Sequence, residues 1–265
     1  MKVRLDKLLV DQGVAASRER AQALILAGRV LVDEQRVDKP GTPVAAGAVL
    51  RMLGNDLRYV SRGGLKLERA LGYWSIDLTG RACLDVGAST GGFTDCFLQH
   101  GAASVLAIDT GYGQIAQKLR DDPRVMLRER CNARLLAPGE LIAATPAPVT
   151  LLAMDVSFIS ATLVLPAVLA ALVEPHTPSR EPHAEERWQG EAVILVKPQF
   201  EAGRLHVGKG GIVRDAAARQ MAIDRVHDAV LALGGTHTAI VDSPIRGMEG
   251  NHEYLLYARF GEQSF

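Results

Sequence analysis

The spacing of apolar residues changes once along the chain, near residue 60. Before that point, Leu5, Leu8 and Leu9 recur at helical spacing up to Gly13. Ala21, Leu24 and Ile25 do so again between Ser17, a suitable N-cap, and Gly28, a suitable stop. Short aliphatic runs at 30–32 and 49–53 predict strands on either side of the turn-rich stretch 38–43. Two small helices followed by short strands predict a compact unit over residues 1–60. Beyond it, aliphatic runs at 82–86, 104–108, 149–153, 192–196 and 239–241 alternate with helical patterns at 92–99, 114–119, 163–172 and 216–233. Short apolar strands alternating with helices predict a parallel sheet covered on both faces, within a second domain over 61–265. The last run, 254–260, follows a loop instead of a helix, which predicts an antiparallel strand at the end of the sheet.

Composition narrows this picture. Apolar residues make up 48% of the 265 and aromatic residues 5%, so the core is predominantly aliphatic. Residues 174–190 hold three prolines, many charges and one lone aromatic, Trp188, and are read as a mobile surface insertion without chemistry. The first residues carry charges at 2, 4, 6 and 7, unlike a signal peptide, and no apolar stretch approaches the length of a membrane helix. Cys83, Cys96 and Cys131 show neither paired nor metal-ligand spacing, and no metal site is expected. These features predict a soluble, cytoplasmic protein with reduced thiols.

Formal net charge is zero, so charge has to be read by segment. Residues 1–60 hold ten Lys or Arg (2, 4, 7, 18, 20, 29, 36, 39, 51, 58) against seven Asp or Glu (6, 11, 19, 33, 34, 38, 56). Arg18, Arg20 and Arg29 fall on or just after the second helix, where they suit phosphate contacts or simply a solvated face.

The sharpest local pattern is Asp85-Val86-Gly87-Ala88-Ser89-Thr90-Gly91-Gly92-Phe93, an aliphatic strand running through a glycine turn into a helix. Its glycines allow close backbone approach to a ligand. A second strand ends on Asp109, placed to hold ribose hydroxyls. A dinucleotide fingerprint is not met, since position 89 is Ser and the last two glycines are adjacent. Gly87-Ala88-Ser89-Thr90-Gly91 fits the hydrolase elbow, yet it follows the first strand and no later histidine suits a triad (His227 and His237 read as surface or strand positions). S-adenosylmethionine, with an amino-acid end for the turn and a ribose for Asp109, satisfies more of the pattern.

Four polar side chains stand at strand ends or beside them. Lys66 lies in Ser61-Arg62-Gly63-Gly64-Leu65-Lys66-Leu67, before the first long strand. Asp155 ends an aliphatic strand ahead of Val156-Ser157-Phe158. Lys197 ends another ahead of Pro198-Gln199-Phe200, and Glu253 opens the last strand after Gly250-Asn251-His252. Singly, each has an ordinary explanation as a solvated lysine or a helix cap. In this order they resemble the K-D-K-E tetrad of FtsJ-type ribose 2′-O-methyltransferases. The pieces SRGGLKL, DVGASTGGFTD, DVSFIS, LVKPQFE and GNHEYL resemble, more narrowly, the TlyA/hemolysin A family.

That resemblance covers nearly the whole chain. It implies a small α+β S4 RNA-binding domain at 1–60, then a Rossmann-like α/β methyltransferase domain with a mainly parallel seven-stranded sheet. It implies methylation of a cytidine ribose in ribosomal RNA, with ribosomal subunits as partners. Lys66, Asp155, Lys197 and Glu253 would be catalytic. Asp85, Gly87, Ala88, Ser89, Thr90, Gly91, Gly92, Phe93, Asp109 and Asp155 would hold the cofactor. Arg4, Lys7, Arg18, Arg20, Arg29, Arg62 and Lys209 would meet RNA, the last from the glycine-rich stretch His206-Val207-Gly208-Lys209-Gly210-Gly211. A ribose hydroxyl is a weak acid, and a lysine set among aliphatic strands can accept its proton or stabilise the alkoxide. A vestigial fold kept only for RNA binding or ribosome assembly is the rival reading. A membrane-damaging haemolysin is disfavoured by the absence of an apolar span or basic amphipathic helix.

Overall fold

A computed structural model describes residues 2–15, 17–53, 58–174, 187–247 and 249–261. The chain divides into two compact units, Met1–Arg58 and Tyr59–Phe265, so the boundary lies two residues before the one that the sequence pattern predicts.

In the first unit, β1 (Lys2–Arg4) leads directly into α1 (Leu5–Asp11), and α2 (Arg18–Leu26) follows with Ser17 Oγ accepting from Arg20 N as its N-cap. Next come β2 (Val30–Val32), β3 (Gln35–Arg36), β4 (Pro43–Ala45) and β5 (Leu50–Met52). β2 pairs with β3 and β5, while β1 pairs with β4, all antiparallel. Leu5, Leu8, Leu9, Ala21, Leu24, Ile25, Val30 and Val32 form one buried cluster, which is why two amphipathic helices with so little sequence make a core. Neither β1 nor β4 is visible in the apolar pattern, because each has only one side chain facing inward or partly so.

The second unit opens with α3 (Gly63–Tyr73), then β6 (Ala82–Val86), α4 (Gly92–Gln99), β7 (Ser104–Ile108), α5 (Gln117–Arg120), β8 (Val125–Arg128), β9 (Val149–Met154), α6 (Ala161–Ala171), β10 (Gly190–Val196), α7 (Pro198–Glu201), α8 (Ala216–Ala232), β11 (Gly235–Asp242) and β12 (Tyr254–Phe260). The strands form one sheet in the order β11-β12-β10-β9-β6-β7-β8. Pairings among β8, β7, β6, β9 and β10 are parallel, and β12 runs antiparallel to both neighbours. β12 therefore does run against the sheet, but one place in from the edge. Inward residues alternate between two clusters, one on each face. Leu84, Val86, Leu106 and Ile108 face one, and Cys83, Val105 and Ala107 face the other.

Three elements differ from the sequence expectation. β8 is not legible in the apolar pattern because all four residues are half-buried, as suits an edge strand. The stretch expected to be helical at 114–119 yields only a single turn at α5. The stretch 174–190 ends in folded structure. Trp188 is buried, its Nε1 donates to Val149 O at 2.8 Å, and its ring packs 5.6 Å from that of Phe260. The lone aromatic therefore anchors the entry to β10, while residues 175–186 of the expected insertion lie outside the described residues.

Candidate active site at the carboxyl end of the sheet

Strand order reverses between β6 and β9, each of which continues the sheet in the opposite direction. In an open α/β sheet the crevice beyond the carboxyl ends of such a pair is where ligands bind. Asp85 lies in β6 and Asp155 follows β9, so the two acids flank this point. The turn between them is tightly built. Gly87 N and Ala88 N donate to Ile108 O at 2.9 and 3.2 Å, and Asp155 N donates to Val86 O at 2.9 Å. Gly87 has φ +86°, and a Cβ there would lie 2.5 Å from Asp155 O, so only glycine lets the two loops meet. Ser89 is left-handed at φ +49°. Its N–H donates to Asp109 Oδ2 at 2.8 Å, while Gly111 N donates to Asp109 Oδ1 at 2.6 Å. Asp109 thus holds two loops in place and is itself only half-buried.

Asp85 is fully buried. Thr94 Oγ1 donates to its Oδ2 at 2.6 Å, and its Oδ1 has no hydrogen-bond partner among the described residues. Burial pushes its carboxyl up to about 7, the Thr94 bond opposing, and the nearby Asp155 and Asp109 charges add to the rise. Thr90 is exposed, and Gly91, Gly92 and Phe93 are buried at the start of α4. A Cβ on Gly92 would collide with Ser61 Oγ and lie 2.9 Å from Gly64 N, so this glycine lets α3 cross α4 closely. That crossing sets the position of Lys66, which α3 carries.

The four ordered polar groups converge. Lys66 Nζ lies 2.6 Å from Glu253 Oε2 and 3.6 Å from Asp155 Oδ2. Lys197 Nζ lies 2.5 Å from Asp155 Oδ1 and donates to Ser157 Oγ at 2.7 Å. Asp155 therefore stands between two ammonium groups. Lys66, Lys197 and Glu253 are each less than a tenth exposed. Buried charges of this kind persist only when paired, and here every charge has an opposite partner.

Residues that stand in the sequence motifs but not among the expected site residues complete the arrangement. Ser157 is one, and Phe158 is another: it is 91% exposed, left-handed at φ +65°, and its ring centroid lies 5.6 Å from that of Phe200. Lys197 Nζ sits 5.9 Å from the Phe200 ring centroid. A bulky residue in that backbone region is strained, and an aromatic held in water beside buried charges is unusual. The signal available in the sequence is an aromatic standing just beyond a strand-end acid.

Of the residues expected to meet RNA, Arg62 and Lys209 belong to the second unit, where both are exposed and neither joins the pairings of this cluster. In the first unit, buried Asp6 accepts from Arg4 Nε and Nη2 at 3.0 and 2.8 Å, from Arg18 Nε at 3.0 Å and from Gln22 Nε2 at 3.0 Å. The Arg4 guanidinium beside Asp6 holds that carboxyl well below the usual range, helped by Gln22 and Arg18 against the cost of burial. Two arginines share one carboxylate, leaving a surplus of positive charge and free N–H groups on the surface. Arg29 Nε donates to Leu53 O at 3.1 Å, and Lys7 is exposed. Arg20 is half-buried.

Known proteins resemble this chain over both of its units. The FtsJ-like methyltransferase model matches residues 59–260, and the S4 domain model matches residues 3–50. A Bacillus subtilis protein named as a candidate rRNA methyltransferase, YqxC, is 45% identical over 97% of this chain and 85% of its own length. The 16S/23S rRNA (cytidine-2′-O)-methyltransferase TlyA of Mycobacterium tuberculosis is 42% identical over 97% of this chain and 90% of its own. A solved structure of a candidate hemolysin from Streptococcus thermophilus superposes with a TM-score of 0.71 at 39% identity, covering 98% of this chain and 89% of the other.

Proposed function

Since the chain belongs to the TlyA/hemolysin A family of FtsJ-like methyltransferases, we propose that it methylates the ribose 2′-oxygen of a cytidine in ribosomal RNA, with S-adenosylmethionine as donor. The observation that carries this reading is the pairing of Lys66, Asp155, Lys197 and Glu253 into one buried cluster beside the Gly87 turn.

The residues present fit that cofactor. The Gly87 cradle excludes any side chain, and Asp85 Oδ1 is a buried acceptor without a partner among the described residues. A cationic methionine end at the turn would supply the missing charge, and Asp109 retains lone pairs for ribose hydroxyls. When bound, S-adenosylmethionine supplies an electrophilic methyl carbon on its sulfonium.

Lys197 is the group assigned to the substrate hydroxyl. Asp155 and Ser157 hold its Nζ from two sides, which fixes the direction of the remaining position on the nitrogen. As the neutral amine it would take the 2′-proton on its lone pair, and as the ammonium it would instead donate its third N–H to the oxygen as negative charge develops. Lys66, held by Glu253, balances the second oxygen of Asp155, so that Asp155 stays in place as the charge on Lys197 changes. In-line placement of oxygen and methyl carbon supplies much of the remaining rate.

Phe158 and Phe200 offer stacking faces for an unpaired base, which is how single-stranded RNA is commonly held. The Arg4–Asp6–Arg18 constellation suits phosphate contacts by the first unit. Among the described residues no helix is long and apolar enough to cross a membrane. A cytoplasmic site of action follows from the proposed substrate.

The deciding experiment mixes the protein with ribosomal subunits and radiolabelled S-adenosylmethionine, then maps the modified nucleotide. The reading expects label on a cytidine 2′-oxygen. Label on a base, or none on any ribosomal RNA, would overturn it.

A further inference from the structure

Asn251 is 1% exposed and spans two segments of the second unit. Its Oδ1 accepts from Val213 N at 2.9 Å, and its Nδ2 donates to Gly211 O at 2.8 Å. Two residues later, Glu253 holds Lys66. The glycine-rich loop is therefore pinned to the same short stretch of chain that delivers a member of the buried tetrad. The loop is closed on itself as well, with Gly208 N donating to Ile212 O and Gly211 N to Gly208 O, both at 3.1 Å. Gly210 and Gly211 are left-handed in succession, at φ +78° and +73°. The φ of +73° at Gly211 is what favours glycine there, since an added Cβ would only push aside the exposed end of Glu249.

These pinned segments carry four exposed cations, Arg204, Lys209, Arg214 and Arg246. None of them pairs with a carboxylate among the described residues, and Arg246 reaches only Gly250 O, at 3.5 Å. Asp215, the acid beside Arg214, is occupied as the N-cap of α8 through Ala217 N at 3.0 Å. Four other cations of this unit are paired with acids, Arg81 with Glu191, Arg120 with Glu129, Arg124 with Asp122 and Arg128 with Glu140, whereas exposed Arg62 and Arg134 are not paired with a carboxylate among the described residues. The four cations of these segments stand on loops whose backbone is fixed, with Glu249, whose carboxylate lies against Gly211, as an exposed acid beside them.

We infer that residues 203–214, together with Arg246, form a phosphate-binding rim that grips the RNA backbone next to the nucleotide being modified. The inference rests on the function proposed above. It differs from a flexible surface turn because Asn251 orders the loop before RNA arrives, so that less entropy is lost on binding. Asn251 ties residues 211–213 to the stretch that delivers Glu253, and four cations without a carboxylate partner among the described residues suit a polyanion.

The test uses the full-length protein and a ribosomal RNA fragment carrying the mapped site. The variant Arg204→Gln/Lys209→Gln/Arg214→Gln/Arg246→Gln is compared with the control Arg124→Gln/Arg128→Gln. RNA Kd is measured against salt concentration, alongside kcat at saturating RNA and Kd for S-adenosylmethionine. The quadruple variant is expected to bind RNA at least about tenfold more weakly, with a salt slope shallower by roughly 0.7–0.9 for each phosphate no longer neutralised. Cofactor Kd and kcat should hold for both variants, and the control should keep wild-type RNA binding. Asn251→Ala, which leaves all four cations in place, should raise KM for RNA in the same direction. Wild-type RNA affinity and slope in the quadruple variant would overturn the inference. So would a defect on intact subunits but not on naked RNA, which assigns the rim to a ribosomal protein. RNA binding is read without turnover, so a wild-type protein that binds RNA but transfers no methyl counts against the proposed function alone.

Discussion

Glu201 Oε2 accepts a hydrogen bond from Ser160 Oγ at 2.5 Å, and Glu201 Oε1 accepts another from Ala161 N at 2.8 Å. The turn after β10, which begins with Lys197, is thereby fastened to the first turn of α6, which ends the loop bearing Asp155 and Ser157. Asp155 meets Lys197 because two loops are locked together behind them. Burial pushes the Glu201 carboxyl above its usual range, and the Ser160 and Ala161 bonds oppose that rise.

Glu201→Ala should therefore destabilise the second unit and slow catalysis together. It strands the N–H of Ala161 at the start of α6, at a cost of about 1–3 kcal/mol, while the Ser160 hydroxyl keeps Thr162 Oγ1 as a partner. Glu201→Gln, which keeps an acceptor, should lose less. Chemical denaturation with steady-state kinetics checks this, and a Glu201→Ala protein with wild-type stability and kcat would refute the link.

Asp85 gives a pH signature. Its carboxyl is raised from 3.8 to about 7, so the folded state binds more protons than the unfolded state between those values. Stability of the ligand-free protein should consequently fall as pH rises from 4 to 7, by at most about 4 kcal/mol at roughly 1.4 kcal/mol per unit. Asp85→Asn should flatten that dependence in denaturation curves. Affinity for a cationic cofactor should rise over the same interval as the carboxylate forms, and calorimetry showing a pH-independent Kd would contradict this.

Lys197→Ala should lower methyl transfer by about 10²–10⁴-fold while leaving S-adenosylmethionine binding intact. Ser157→Ala should give a smaller loss, on the order of 10- to 100-fold in kcat, because a hydrogen bond to a charged group contributes about 1.5–3 kcal/mol. Rapid-quench assays read the first and titration calorimetry the second quantity. Full activity in Lys197→Ala would remove it from the mechanism.

Phe158 should show function and stability in opposition. Phe158→Gly relieves a side chain held at φ +65° and should raise the melting temperature. The same change should weaken RNA binding by about 1–3 kcal/mol, the worth of a base stacked on an aromatic ring. A variant that binds RNA normally, or melts lower than wild type, would argue that the exposed ring is neither strained nor used.

Local patterns carried much of the fold. Aliphatic runs at 82–86 and 104–108 coincide with β6 and β7, and Ser17 caps α2, because strand burial and capping depend on residues close in sequence. The linear order of Lys66, Asp155, Lys197 and Glu253 was equally legible, since each stands at the end of an element with its own apolar signature or in a short motif. α3 was less so: Gly63 and Gly64 open it, and their reason lies in Tyr59 and Gly92, which pack against them.

Tertiary structure alone decided what those groups do to one another. Lys197 meets Ser157 across 40 residues, Asn251 meets Gly211 across 40, and Ser160 meets Glu201 across 41. Such contacts arise because a parallel sheet sets the carboxyl ends of strands side by side only after a helix has carried the chain back, so no sequence spacing announces them. The same holds for Trp188, which reads as a stray aromatic among charges and is buried because β9 and β12 bring Val149 and Phe260 to it. Residue types specified which chemistry was possible here. The side-by-side strand ends, and the packing of α3 beside them, decided which lysine each carboxylate holds.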